Sequence, residues 1–265
     1  MRAEKMGHYG ALWVLKILVS MLSAARGELA QGGKEAAEAW NFGETHFGAV
    51  NFIATAFRGH FAALLGNVVE AETWFTRGLK MENEKWSYLS GISEASLFAV
   101  FAENHDDRAG QVWKNRQWKL PISGQLNSLG RWAALERSAI GLASLGKKQD
   151  VGALRSLTEE LVLTGAWTYG LLSPFRTVAG IAAACVGDWS AAEQHHLTAI
   201  HQTDSAPYRH LRPVAREWYA TMLLDRQAPG TVTKARILLS EALTLYESLG
   251  MSSPGRRIGA KVAAL

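Results

Sequence analysis

Apolar residues recur at helical spacing along almost the whole chain of 265 residues. In the segment RWAALERSAIGLASL, for example, Leu135, Ala139 and Leu142 are three or four positions apart and so share one face of a helix. Asn-Gly hairpin turns and alternating runs of β-branched residues, which are the signals of strands, are missing from the sequence. The pattern therefore predicts an all-α fold.

Turn residues separate these helical patterns at a regular interval. The turns at Gly66, Asn104, Gly146, Gly187 and Gly230 follow one another at separations of 38 to 43 residues. A small residue also recurs in the second helix of each pair, at intervals of 35 to 44 residues: Ala36, Ala71, Ala109, Ala153, Ala192 and Ala235. Alanine at such a position lets two antiparallel helices approach closely, and a period of this length is typical of a solenoid of helical hairpins.

This periodicity predicts about six helical pairs in a single domain that covers residues 1–265. The predicted pairs are 9–26 with 34–47, 51–65 with 68–81, 86–103 with 106–118, 128–145 with 150–164, 173–186 with 189–203, and 211–226 with 231–249. The prolines agree with this division, because each lies between helical patterns or in a first helical turn, where the missing N–H group is tolerated.

The segment GLASLGKK at residues 141–148 resembles a phosphate-binding loop, because two glycines with four residues between them precede a lysine. Two features argue against a nucleotide site. Lys148 occupies the position that should hold a Mg²⁺-binding Ser or Thr, and the preceding segment has the spacing of a helix rather than of a strand. We therefore interpret Gly146 as the residue that ends a helix, and we expect no cofactor.

Three of the predicted pairs, at residues 51–82, 173–203 and 211–249, resemble tetratricopeptide repeats (TPRs). The residues that carry the resemblance are Gly59, Gly66, Ala71, Phe75, Gly78 and Leu79 in the first, Gly180, Gly187, Asp188, Trp189, Ala192 and Ala199 in the second, and Tyr219, Ala220, Leu223, Ala235 and Ala242 in the third. Other pairs depart from the repeat pattern, with Arg116 and Glu160 where small residues are usual. The resemblance implies a divergent TPR-like array wound into a right-handed superhelix.

The stretches ACVGDWSAAEQHHLTAI and RPVAREWYATMLLDRQAPGTVTKARILLSEALTLYESLGM show a more specific likeness. They resemble the helical tail of bacterial class III adenylate/guanylate cyclases and of related regulators that carry an AAA/STAND-type ATPase module. The cyclase and phosphate-loop residues of those proteins are absent from this sequence. The resemblance therefore implies a regulatory or scaffold segment rather than an enzyme, and it suggests a fragment of a longer multidomain signalling protein.

Composition argues against nucleic-acid and membrane partners and indicates a reducing compartment. Apolar residues make up 48% of the chain and charged residues 20%, which is a globular composition, and the net charge of +4 is too small to argue for a nucleic-acid partner. The single cysteine, Cys185, excludes an internal disulfide and a multi-cysteine zinc site, and it fits the cytoplasm. Residues 11–25 are apolar but contain Lys16, so a buried or amphipathic helix is favoured over a secretion signal, and no membrane partner is expected.

Side chains that could carry chemistry do not form a recognisable set. His195, His196 and His201 lack the four-residue spacing of a helical metal pair, so no metal site is expected. We expect His196 in the packing position that Phe75 fills in its own repeat, with His195 at the surface. The sequence contains no nucleophile motif, and it predicts no catalytic residues.

Two functions remain open for such a module. A non-catalytic interaction or regulatory scaffold would hold a protein, a peptide or a neighbouring domain in its concave groove, whereas a small-molecule sensor would enclose a ligand and gate an attached ATPase or cyclase. The first-helix positions that a TPR register places in the groove are His60, Glu136, Thr177 and Glu217. The two carboxylates among them favour a basic or amine-bearing partner.

Overall fold

A computed structural model describes residues 7–47, 51–85 and 89–265 of the chain. These residues form 14 α-helices and one short 3₁₀ helix at Arg209–Leu211, with no strand, so the prediction of an all-α fold is confirmed. The α-helices are α1 (Tyr9–Arg26), α2 (Leu29–His46), α3 (Phe52–Leu64), α4 (Val68–Lys85), α5 (Ile92–Glu103), α6 (Arg108–Asn115), α7 (Leu129–Ser144), α8 (Lys148–Gly152), α9 (Arg155–Leu163), α10 (Phe175–Cys185), α11 (Trp189–Ser205), α12 (Arg212–Arg226), α13 (Thr231–Ser248) and α14 (Ser252–Ala264).

Consecutive helices pack against one another as the periodicity predicts. Helix α1 packs on α2, α3 on α4, α10 on α11 and α12 on α13. The small residues expected at these contacts are buried, since Ala36, Ala71, Ala109, Ala192 and Ala235 are at most 1% exposed. Alanine in these positions lets the paired helices come close without the loss of helix stability that glycine would cause.

The fourth predicted pair differs from expectation, because its second helix is broken. The predicted helix 150–164 is divided into α8 and α9, and Ala153 lies exposed between them. Gly152 makes the close contact instead, since a Cβ atom at this position would lie 2.8 Å from Cγ1 of Val186. The break therefore moves the small residue of this repeat one position towards the N-terminus.

Helix α14 is absent from the predicted map. Pro254 lies in its first turn, where proline is tolerated, but Gly255 and Gly259 lower the helix propensity of the segment, which nevertheless forms a helix. Helix α14 packs on α13 and also on α3, far earlier in the chain. The hydroxyl of Ser252 donates a hydrogen bond of 2.9 Å to the carbonyl oxygen of Leu65, which fastens this helix to the end of α3.

A second contact joins the early and late parts of the chain. Nδ1 of His210, in the 3₁₀ helix, lies 3.0 Å from the carbonyl oxygen of Ala24 and therefore donates a hydrogen bond to it. One hydrophobic core joins Leu29 and Phe61 of the early helices with Tyr219 and Ile258 of the late ones. The array of helices thus surrounds an interior.

In two repeats, a large side chain packs directly against a glycine at an equivalent position. A Cβ atom at Gly59 would come within 2.6 Å of the ring of Phe75, and one at Gly180 would come within 2.8 Å of the ring of His196. His196 is fully buried and stacks on Tyr219. The interpretation that His196 fills the packing position of Phe75 is therefore confirmed.

The buried alanines give a direct test of the repeat register. We expect Ala192→Leu and Ala235→Leu each to lower the free energy of unfolding by about 1–3 kcal/mol, because the larger side chain has no space at the helix contact. Thr233→Leu, at an exposed position of α13, serves as the control and should leave stability nearly unchanged. Urea denaturation measures all three variants, and wild-type midpoints for both alanine variants would contradict the register.

Candidate functional site

Two adjacent cavities lie between the helices, one with mainly apolar walls and one with mainly polar walls. The apolar cavity has a volume of about 490 Å³. Its walls include side chains of five helices and the segment after α9: Met21, Phe52, Phe57, Glu82, Ile92, Leu129, Ala133 and Leu172. The polar cavity, of about 80 Å³, is lined by His60, Ser96, Glu103, Arg137, Ser173, Glu217, Tyr246 and Arg257, among others. His60 and Leu171 line both cavities, so the two are adjacent.

The linker at residues 164–174, between α9 and α10, lies between the two cavities. Leu171 is 7% exposed and belongs to the core that joins the early and late helices. Gly170 approaches Met21 so closely that a Cβ atom there would lie 2.8 Å from the methionine methyl group. The N–H group of Phe175 donates to the carbonyl oxygen of Trp167 at 2.9 Å, which closes the linker on itself. The linker therefore forms a wall of the interior.

Two ion pairs occupy one side of the polar cavity. The Nη2 atom of Arg257 lies 2.7 and 3.0 Å from the two carboxylate oxygens of Glu217, which also accepts a hydrogen bond of 2.6 Å from the hydroxyl of Tyr246. Glu136 accepts two hydrogen bonds from the guanidinium of Arg137, next to it in the chain, and one of 3.0 Å from the N–H group of Ser173. Both guanidinium groups are thus neutralised by their own carboxylate.

Glu103 is the exception in the polar cavity. Its carboxylate receives no hydrogen bond from the described residues, and burial raises its pKa even though Arg137 and Arg257 oppose this effect. Sequence reasoning missed Glu103, because a glutamate in the last turn before Asn104 is typical of a solvated helix end. Helix α14 crosses this end of α5 and covers part of Glu103, which is half-buried.

His60 separates the polar cavity from the apolar one. Burial, together with the charge of Arg137, lowers its pKa to about 3, so the imidazole is neutral at physiological pH. Its Nε2 atom lies 3.4 Å from the hydroxyl of Ser96. The wall shared by the two cavities is therefore polar but uncharged.

Among the described residues, Glu82 is the one carboxyl group in the wall of the apolar cavity, and its hydrogen bonds are already made. Glu82 accepts hydrogen bonds from the N–H groups of Gly91 and Ser93, at 2.9 and 3.0 Å, and from the Ser93 hydroxyl. Burial raises the pKa of Glu82 despite these donors. The rest of the wall is mainly aliphatic and aromatic, which suits an apolar molecule.

The four side chains expected to face a groove are placed in the interior or in the core. His60 and Glu217 line the polar cavity, and Glu136 reaches it through its pair with Arg137. Thr177 is fully buried away from both cavities, and its hydroxyl has no hydrogen-bond partner among the described residues. Glu136 and Glu217 are 0% and 3% exposed, so a large partner could not reach them without rearrangement of the fold.

Other candidate side chains have structural contacts. His195 was expected at the surface, which is wrong: it is 6% exposed, and its ring lies 3.0 Å from a carboxylate oxygen of Glu159 and 3.2 Å from the guanidinium of Arg176. Partial burial raises the pKa of Cys185 to about 11, so its thiol is protonated at neutral pH and is a weak nucleophile.

The segment GLASLGKK forms a corner between helices. Gly146 follows the end of α7 with a φ of +69°, a left-handed conformation that glycine adopts without strain. Lys148 begins α8 and forms an exposed ion pair of 2.8 Å with Asp225. The interpretation of Gly146 as a helix end is confirmed, and the absence of nucleotide binding stays a prediction.

Helix α1 presents an apolar stripe on its outer face. Five side chains on this stripe are 47–53% exposed: Val14, Leu15, Leu18, Val19 and Leu22. By length and composition, α1 is the one helix among the described residues that could cross a membrane, and 33% of it is buried against its neighbours. The stripe follows the helical spacing of four, so it forms a continuous surface.

Comparisons with family models, with curated proteins and with solved structures find no match to this chain. Proposals about its function therefore depend on the geometry of the interior and of the outer face of α1.

Three histidines with lowered pKa values predict a characteristic loss of stability in acid. Burial lowers the pKa of His60 and His196 to about 3 and that of His210 to about 4, whereas unfolded histidine takes up a proton near pH 6.5. Below about pH 6.5 the unfolded state therefore binds more protons than the folded state, and stability falls as the pH falls. Each such histidine should contribute a slope of about 1.4 kcal/mol per pH unit between pH 6 and 4.5.

The variant His196→Phe isolates one of these histidines, because phenylalanine already fills the equivalent position at Phe75. We expect the dependence of unfolding free energy on pH to become shallower by about 1.4 kcal/mol per pH unit in this variant. His201→Phe, at an exposed position, should keep the wild-type slope. Urea unfolding at several pH values gives the slopes, and equal slopes for His196→Phe and the wild type would contradict the assignment.

Proposed function

We propose that this chain is a non-catalytic regulatory module that senses a small molecule bound in its apolar cavity. The observation that carries the proposal is a volume of about 490 Å³ that five helices and the linker at 164–174 line and that is partly open to solvent. Ligand sites in proteins commonly have volumes of about 300–1,000 Å³, mainly apolar walls and a few polar groups. The apolar cavity, with His60 and Glu82 in its wall, meets this description.

The burial of three of the four expected groove residues also favours a sensor over a peptide-binding scaffold. Extended peptides need an open concave surface whose side chains can be reached from solvent. Here Glu136, Thr177 and Glu217 are buried, and α14 lies across the polar cavity. A molecule that fits between the helices is therefore a better candidate than a chain that lies along them.

The proposal includes the finer features of the architecture. We infer a right-handed superhelix of six TPR-like hairpins, with α14 as a closing helix. In line with the resemblance to cyclase and AAA/STAND regulators, the module would act in the cytoplasm as part of a longer signalling protein. Occupation of the cavity would stabilise the closed arrangement and so influence an attached ATPase or cyclase.

A neutral apolar fluorophore tests the cavity. We expect N-phenyl-1-naphthylamine to bind the wild-type chain with a saturable rise in fluorescence. Ala56 lines the cavity, and Ala56→Phe should weaken binding at least about tenfold because the new ring occupies the space of the ligand. Ala153→Phe makes the same change at an exposed position and should bind as the wild type does. Equal binding by all three, at equal melting temperatures, would contradict the proposal.

A second candidate function, protein interaction, is supported by the apolar stripe of α1. An exposed apolar face with helical spacing suits the apolar face of another helix. A second copy of the chain is the simplest such partner, because two identical stripes can pack against each other about a twofold axis. In this case the scaffold would use an outer face rather than a groove.

Sedimentation equilibrium tests this second candidate. We expect a wild-type dimer at tens of micromolar, and we expect Leu15→Glu/Leu18→Glu to be monomeric because each new carboxylate would be buried without a partner. Leu163→Glu introduces the same charge at a position that is 83% exposed in α9 and should still dimerise. A wild-type monomer throughout the concentration range would contradict self-association.

A further inference from the structure

The ionised groups around the polar cavity do not balance. Three carboxyl groups, of Glu103, Glu136 and Glu217, act on one another there, together with two guanidinium groups, of Arg137 and Arg257. His60 contributes no charge at neutral pH, since its pKa is lowered to about 3. With every carboxyl ionised, the cluster therefore carries one negative charge more than it has positive charges.

The pattern of contacts locates this excess at Glu103. Glu217 is paired with Arg257, and Glu136 is paired with Arg137. Arg257 also donates to Glu103, but to its main-chain carbonyl oxygen, at 3.3 Å, rather than to its carboxylate. Glu103 is half-buried, and a partly desolvated carboxylate without a hydrogen-bond partner is unfavourable, so a cation with N–H donors would stabilise it.

Geometry connects this carboxyl group with the apolar cavity. Glu103 lines the polar cavity, and His60 and Leu171 line both cavities. The volume of about 80 Å³ in the polar cavity has room for several water molecules or for a small head group. One molecule with a small polar head and an apolar body could therefore occupy both spaces.

We infer that the interior binds a primary amine with an apolar body, with its ammonium group against Glu103 and its body in the apolar cavity. This inference rests on the proposed function, because it names the class of ligand for the same interior. An ammonium group would bring the cluster to neutrality and supply the missing donors. A carboxylate or phosphate head would raise the excess negative charge, and both guanidinium groups already have partners.

The two arginines do not argue against a cationic head. Each guanidinium lies against a carboxylate, so an ammonium group in the cavity would be exposed to two nearly neutral pairs and to one unpaired carboxyl. Neutral His60 adds no repulsion. The Ser96 hydroxyl, which lines the same cavity, offers a further acceptor.

A matched series of eight-carbon probes tests the inference on the full chain. Isothermal titration at pH 7.4 would compare octylamine, 1-octanol and octanoate. We expect octylamine to bind at least about tenfold more tightly than 1-octanol, and octanoate to bind most weakly. Because all three share one chain, differences among them report on the head group, and the wild type alone decides the question.

Two variants connect the preference to Glu103. Glu103→Gln keeps the shape of the side chain and removes its charge, so we expect octylamine to lose its advantage while 1-octanol binds unchanged. Glu247→Gln, at an exposed position of α13, makes the same change as a control and should keep the wild-type preference.

The possible failures are distinguishable. Binding of 1-octanol and the naphthylamine probe without a preference for octylamine would overturn the amine inference and leave the proposed sensor intact. An octylamine preference that persists in Glu103→Gln would overturn the role of Glu103. Failure of every probe to bind the wild type would overturn both proposals.

Discussion

The guanidinium of Arg257 reaches the carboxylate of Glu217 from the last described helix, and this buried ion pair closes the interior on one side. Glu217 is 3% exposed and also bonds to Tyr246, so three helices meet at one carboxylate. Loss of one member of such a pair leaves the other charged and buried, which commonly costs about 3–5 kcal/mol. The position of α14, and with it the polar cavity, depends on this contact.

Small side chains have two opposite effects in this molecule. Where a glycine faces a large ring, as Gly59 faces Phe75, it allows two helices to come together and leaves no space. Where alanines such as Ala56 and Ala133 face the interior, the linker and the opposite helices do not fill the volume in front of them. Small residues thus allow dense packing between helices that are neighbours in the chain, and they leave open space between helices that are far apart in the chain.

Periodicity predicted the local structure well, because short connections force successive helices to pack together. The predicted bounds of α12 and α13 lie within a residue of those observed. Helix α14 was not predicted, since Gly255 and Gly259 lower the helix propensity of the segment and its contact with Leu65 joins residues far apart in the chain. The interior site was only partly predictable for the same reason. Helical spacing placed Glu217 on an inner face, but no local pattern predicts its ion pair with Arg257, which lies 40 residues later.

The bond from Ser252 to Leu65 spans 187 residues and has a consequence for the order of folding. Contacts between distant parts of a chain form late, because closing the long loop between them costs conformational entropy before the contact stabilises the fold. Sequential helical pairs can therefore assemble first as an open arc, and α14 joins afterwards. During that interval the polar cavity lacks the wall that α14 supplies, so it is more open to solvent than in the finished structure.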